Sequence, residues 1–227
     1  MNRENSFSPL QQEPQSGLCY RRLDGVVAPR ARLLLLHGVG GNENNLAGLA
    51  SHLPADLEVL LLQGPLQLAP QGFAWFQVNF TSNGPSINAE QAESSREGLL
   101  QFIRALPELP TVIAGFSQGG IMSASVGLSE PRLVTGFGLL SGRILPELEP
   151  KIAPMEELRS LSAFVAHGRH DDKLPLFWAE RATSLLQRLE VLHETRIYPM
   201  AHEICAEEVG DFVAWLPKAL RLAQPAA

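Results

Sequence analysis

Six strand-length apolar runs, each stopped by a turn signal, constrain this chain more than any other feature. Leu33-Leu34-Leu35-Leu36 ends at His37-Gly38, and Val59-Leu60-Leu61-Leu62 ends at Gln63-Gly64-Pro65. Thr111-Val112-Ile113-Ala114 ends at Gly115, and Phe137-Gly138-Leu139-Leu140 ends at Ser141-Gly142. Ala163-Phe164-Val165-Ala166 ends at His167-Gly168, and Thr195-Arg196-Ile197-Tyr198 ends at Pro199. Runs without polar alternation suit strands covered on both faces. Between them, residues 88–106, 176–192 and 209–222 carry apolar side chains at helical spacing, with Leu185, Leu186 and Leu189 on one side of the second. Strands alternating with helices predict an α/β fold, a mostly parallel central sheet with helices on both faces. No internal repeat or linker interrupts the body, so one domain is expected over residues 17–227. Residues 1–16, polar and carrying Pro9 and Pro14, are expected to form a flexible N-terminal arm.

Composition narrows the function classes. With 227 residues and 45% hydrophobic content the chain can bury a sizeable core. Its formal charge of −6, from 18 basic and 24 acidic residues, gives no reason to expect nucleic acid as a partner. Cys19 and Cys205 lack metal-site spacing and read as two separate reduced thiols. The polar start is no signal peptide, and the apolar runs are too short to span a bilayer. A cytoplasmic protein without a transmembrane segment is the default expectation.

The chemistry is carried by Gly115-Phe116-Ser117-Gln118-Gly119, a G-x-S-x-G sequence after an apolar strand and before a plausible helix, Gly120-Ile121-Met122-Ser123-Ala124. That context is what a nucleophile on a sharp strand-to-helix turn requires: small residues let strand and helix pass closely, and the serine oxygen stands exposed. A serine needs a base, and in this arrangement the order is serine, acid, histidine. Of six histidines, His37 and His52 precede the serine. His167 and His170 lie where the acid belongs, and His193 ends a helix. His202 follows the last strand and is the base by position. The loop His167-Gly168-Arg169-His170-Asp171-Asp172 offers two acids, Asp171 and Asp172, which spacing does not separate. Two histidines three apart with no third distant ligand make a weak metal site, so no metal is expected. Glycines in His37-Gly38-Val39-Gly40-Gly41-Asn42 suit an oxyanion loop, with the N–H groups of Val39 and Gln118 as donors. A phosphate-binding alternative for that loop lacks the P-loop lysine and the dinucleotide glycine spacing. Residues 63–85, irregular and containing Trp75, Phe76 and Phe80, are either a functional loop or a surface loop pinned by aromatics.

With these residues assembled, the chain resembles the phospholipase/carboxylesterase family of α/β-hydrolases, which includes acyl-protein thioesterases and small bacterial esterases. The resemblance runs from about Leu33 to Leu216. It rests on Leu36 to Glu43, Ala74-Trp75-Phe76, Gly115 to Gly120, His167-Gly168 with Asp171 and Pro175, and Ala201-His202-Glu203. The family's aspartate lies four residues before a proline, which by analogy selects Asp171 over Asp172. The resemblance implies hydrolysis of carboxylic esters or thioesters with no cofactor, and a homodimer by analogy alone. Two departures stand out. Ala201 replaces the usual glycine before the histidine, and Gly72-Phe73-Ala74 lacks the arginine that often precedes the Trp-Phe pair.

The expected enzyme is a serine carboxylesterase acting on small to medium esters through an acyl-enzyme on Ser117, with activity falling as pH drops and His202 takes a proton. A lysophospholipase or acyl-protein thioesterase acting on longer chains is the alternative, and a catalytically silent binding domain is the non-enzyme one. The short Pro-rich connection between the Leu140 and Ala163 strands leaves no room for a large cap domain, so an open, shallow site is expected. Trp75, Phe76 and Leu174 are its candidate walls, with plain core packing as the alternative.

Overall fold

A computed structural model describes residues 6–81 and 84–222. In chain order the strands are β1 (Gln11–Gln12), β2 (Cys19–Arg22), β3 (Ala31–Leu36), β4 (Leu57–Gln63), β5 (Leu66–Ala69), β6 (Gly72–Ala74), β7 (Val78–Thr81), β8 (Gly84–Ile87), β9 (Thr111–Phe116), β10 (Gly136–Leu140), β11 (Ser162–Gly168) and β12 (Leu192–Tyr198). The α-helices are α1 (Ala89–Ala105), α2 (Gln118–Ser129), α3 (Met155–Leu158), α4 (Phe177–Arg188) and α5 (Ala206–Ala219). Two 3₁₀ segments, Glu43–His52 and Pro146–Lys151, complete them.

One eight-stranded sheet runs in the order β1-β2-β4-β3-β9-β10-β11-β12. The six expected strands are its parallel part, from β4 to β12, and β1 and β2 join antiparallel at one edge. All four leucines from Leu33 to Leu36 are at most 1% exposed, as strands sandwiched between helices require. Burying one such side chain contributes about 1.5–3 kcal/mol. Alternation along β3 divides the core: Leu34 and Leu36 pack with α1, α2 and α4, while Leu33 and Leu35 pack with the first 3₁₀ segment and α5.

The expected helices form with only their ends shifted. Asn88 caps α1 by accepting from the Gln91 N–H, which fixes its start. Residues 1–5 of the expected arm lie outside the described residues. From Ser6 onward the arm is not free: Gln11 and Gln12 pair with Tyr20 and Cys19, and the Glu13 carboxylate accepts from the Gln15 and Ser16 N–H groups. Backbone pairing to the otherwise open edge of β2 explains why so polar a segment is ordered. The stretch 63–85 contributes two small antiparallel hairpins, β5–β6 and β7–β8, outside the main sheet. Between β10 and β11 lie only the second 3₁₀ segment and α3, so no large cap covers the sheet.

The chain order also places the site. From β3 the chain moves outward to β4, then returns to β9 on the other side of β3. At such a reversal the loops leaving the carboxyl ends part, and ligands bind in the crevice between them. The loops after β3 and β9 begin at His37 and Ser117.

Candidate active site

Ser117 joins β9 to α2 with φ 54° and ψ −115°, a left-handed conformation that is costly for a residue with a side chain. Packing holds it there. A Cβ on Gly119 would lie 2.1 Å from the Leu36 carbonyl oxygen, and one on Gly115 would lie 2.4 Å from the Gly119 carbonyl carbon. The Ser117 N–H donates to the Leu140 carbonyl at 2.8 Å. Ser117 occupies the N-cap position of α2, where a serine ordinarily turns its oxygen back onto the helix, yet it makes no such bond. Its Oγ lies instead 3.0 Å from Nε2 of His202.

Nδ1 of His202 lies 2.7 Å from Oδ2 of Asp171. The other carboxylate oxygen accepts from the N–H groups of Lys173 and Leu174, at 2.9 and 2.8 Å, so the backbone fixes the plane of the group. A carboxylate can only accept, so the imidazole proton sits on Nδ1 and the Nε2 lone pair faces the serine. The Asp171 side chain is fully buried, His202 keeps partial access to solvent, and the Phe116 ring packs against the imidazole at 4.8 Å between centroids. Asp172, the competing acid, is directed to solvent and pairs with Lys173. The close crossing of the acid and histidine loops explains Gly168, whose Cβ would lie 2.2 Å from the Ala201 carbonyl oxygen. Ala201 has no left-handed φ, so its turn accommodates a side chain where a glycine is usual.

The loop 38–41 crosses over the serine. A Cβ on Gly38 would sit 3.3 Å from the Ser117 Cβ. Gly40 N–H donates to the Phe73 carbonyl and Phe73 N–H to the Gly41 carbonyl, tying the loop to β6. Val39 is half exposed at its crest, and Gln118 opens α2, whose N-terminus favours developing negative charge. A cleft of about 450 Å³ lies beside it, lined by Val39, Leu46, Phe116, His202 and Ile204 among others.

Two expected wall residues are placed elsewhere. Trp75 and Phe76 are 0% and 1% exposed, so they line no open pocket. Trp75 is a brace: its indole N–H donates to the His37 carbonyl, its backbone N–H to the Gln118 side chain, and its carbonyl accepts from Ser95. Gln118 also donates to the Phe76 carbonyl. Leu174 is half-buried, with its N–H on Asp171 and its carbonyl on His167. Phe80 lies in β7, its side chain outside the described part of the structure.

Two histidines that sequence reasoning set aside serve the site from behind. His37 Nε2 accepts from the Gly64 N–H, so its proton is on Nδ1, which donates to the Gly38 carbonyl at 2.7 Å. Burial pushes its pKa below the usual histidine value and keeps it neutral. His167, fully buried, donates from Nε2 to the Leu174 carbonyl at 2.7 Å and lies 3.5 Å from Asp171 Oδ2. Both belong to His-Gly pairs closing a strand, a repeated signal visible in the sequence.

The phospholipase/carboxylesterase family model matches residues 24–220. Acyl-protein thioesterase 1 of Mycosarcoma maydis is 28% identical over 226 residues, covering 86% of this chain and 93% of that protein. Among solved structures, a carboxylesterase from Mesorhizobium loti superposes with a TM-score of 0.77 at 22% identity, over 92% of this chain and 98% of the other. Acyl-protein thioesterase 2 from Zea mays gives a TM-score of 0.71 at 19% identity, covering 88% and 98% of the two chains.

Proposed function

The chain belongs to the phospholipase/carboxylesterase family and is a serine hydrolase, and from that premise we propose that Ser117, His202 and Asp171 are its nucleophile, general base and orienting acid. The observation that carries the assignment is the unbroken hydrogen-bond chain from Ser117 Oγ through both nitrogens of His202 to a buried carboxylate. In the first step Oγ attacks the acyl carbon while His202 Nε2 takes its proton. The N–H groups of Val39 and Gln118 receive the oxyanion, each such donor being worth about 3 kcal/mol in the transition state. The tetrahedral intermediate collapses, the bond to the alcohol or thiol breaks, and His202 returns the proton to the leaving group. Water then attacks the acyl-enzyme by the same route, releasing the acid and regenerating Ser117.

The preferred substrates are small to medium carboxylic esters, because the cleft beside His202 is open and no cap encloses a long chain. The relative named acyl-protein thioesterase 1 supports a second reading, longer acyl chains on thioesters. A p-nitrophenyl ester series from acetate to palmitate tests both. Activity peaking at short chains and lost in Ser117→Ala fits the first reading. A long-chain peak, with thioesters hydrolysed faster than esters, selects the second. Hydrolysis surviving in Ser117→Ala overturns the nucleophile assignment.

A further inference from the structure

The loop that follows β10 lies between the loops carrying Ser117 and Asp171, because β10 lies between β9 and β11 in the sheet. It starts tight against the nucleophile: a Cβ on Gly142 would be 3.1 Å from the Ser117 carbonyl oxygen. The next residue, Arg143, is half-buried, and its guanidinium carbon stands 4.6 Å from the centre of the Trp178 ring. Arg181 reaches over the same indole at 5.3 Å. Arg21, Arg32 and Arg96, also withdrawn from water, each hold a carboxylate. Among the described residues Arg143 has no ion pair and no side-chain hydrogen bond, and the Glu147 charge acts on it without contact. Burial pushes this guanidinium below its usual value, as expected of a cation that has lost water without gaining a counter-ion. A guanidinium over an indole still carries a fork of N–H donors matched to a carboxylate, and those of Arg143 make no hydrogen bond among the described residues.

The two sides of the serine differ. The cleft at His202 is lined by Leu46, Phe116 and Ile204, which pack with the α5 layer. His202 protonates the leaving group, so the leaving group departs on that side. Ile144, Leu145, Leu176 and Ala179, which flank Arg143 and Trp178 in sequence, pack with the α1, α2 and α4 layer. An acyl group directed away from the leaving group would extend toward that side.

We propose that Arg143, stacked on Trp178, binds a carboxylate at the far end of the acyl group, so that the protein prefers half-esters or half-thioesters of dicarboxylic acids to uncharged esters of equal length. The inference rests on the hydrolase reading above and leaves its chemistry unchanged; only the acyl group delivered to Ser117 is specified. Arg181 adds positive charge beside the same ring in a chain whose formal charge is −6. Arg143 is thus a specificity-determining residue.

The test compares mono-p-nitrophenyl adipate with p-nitrophenyl hexanoate, which share chain length and differ in the terminal carboxylate. In the wild type, kcat/KM is expected to favour adipate. In Arg143→Gln the adipate-to-hexanoate ratio should fall by about 10- to 100-fold, the worth of a charge-assisted hydrogen bond, and mainly through KM. Arg143→Lys should restore part of it. A ratio unchanged by Arg143→Gln, or hexanoate preferred by the wild type, overturns the proposal. Binding is read separately by thermal shift of Ser117→Ala with free adipate. A shift lost in the Ser117→Ala, Arg143→Gln double variant supports the site even if no ester is hydrolysed, and no shift with Arg143 intact counts against it. Absence of all hydrolysis by the wild type would instead overturn the hydrolase reading.

Discussion

At the scale of single residues, the site depends on which nitrogen of each imidazole carries a proton. The Asp171 carboxylate fixes the proton of His202 on Nδ1. In Asp171→Asn the amide N–H can hold the opposite tautomer, turning a donor rather than a lone pair toward Ser117. The expected result is a fall in kcat of about 10⁴-fold, with KM little changed. Steady-state kinetics on a short-chain ester measures it, and a loss below about tenfold would mean that Asp171 does not orient the base. That Ser117, Asp171 and His202 each follow an apolar strand is legible in the sequence, and the fold brings the three side chains into contact. Spacing alone left Asp171 and Asp172 open, because only the folded loop shows that one carboxylate is buried against His202 and its neighbour faces solvent. His37 and His167 were visible as residues but not as braces, since nothing in a sequence reveals that a ring nitrogen is already engaged by a backbone group.

At the scale of elements, six strands and three helices could be read in advance because their apolar patterns are continuous or helical. β1 and β2 could not, being short, half-polar and stabilised by pairing at a sheet edge. Nor could the hairpins after β4, whose strands of three or four residues lie among Pro65, Pro70 and Pro85. Trp75 and Phe76 could not be assigned to wall or core for a related reason: an aromatic pair beside a glycine-rich loop has the same sequence whether it faces substrate or core, and burial puts both in the core. Gln118 joins the two levels, since its side chain holds both backbones while its N–H opens α2. Gln118→Ala keeps the N–H but leaves the Trp75 N–H and Phe76 carbonyl buried without partners, at about 1–3 kcal/mol each. Thermal melts should show Tm lowered by roughly 4 °C or more. A Tm within about 1 °C of wild type would mean that other groups satisfy both atoms.

At the scale of the whole molecule, both faces of the sheet are covered, and no helix among the described residues is long and apolar enough to cross a membrane. One buried charge site makes stability depend on pH. Glu208 in α5 is fully buried and forms no ion pair among the described residues, and burial, outweighing the nearby Cys205 backbone N–H, raises its pKa from 4.5 to about 8. The folded state therefore holds this proton more tightly than the unfolded chain. The associated stability is fully present below pH 4.5 and is lost as pH rises through about 8. Each unit of such a shift corresponds to about 1.4 kcal/mol. Glu208→Gln, which cannot ionise, should show a shallower decline of Tm between pH 5 and pH 9, diverging most from wild type at the alkaline end. Parallel curves would show that the Glu208 carboxyl does not titrate with folding. The two hairpins between Gly64 and Asn88 have a different consequence. They stand outside the main sheet and are fastened to the rest by the Gly64 N–H on His37, by Phe73 on Gly40 and Gly41, by Trp75 on His37, Gln118 and Ser95, and by the burial of Trp75 and Phe76. If His37, Gly40, Gly41, Trp75 and Gln118 are kept, a graft of residues 65–87 tests whether the sheet that aims the serine holds its shape without the native hairpins.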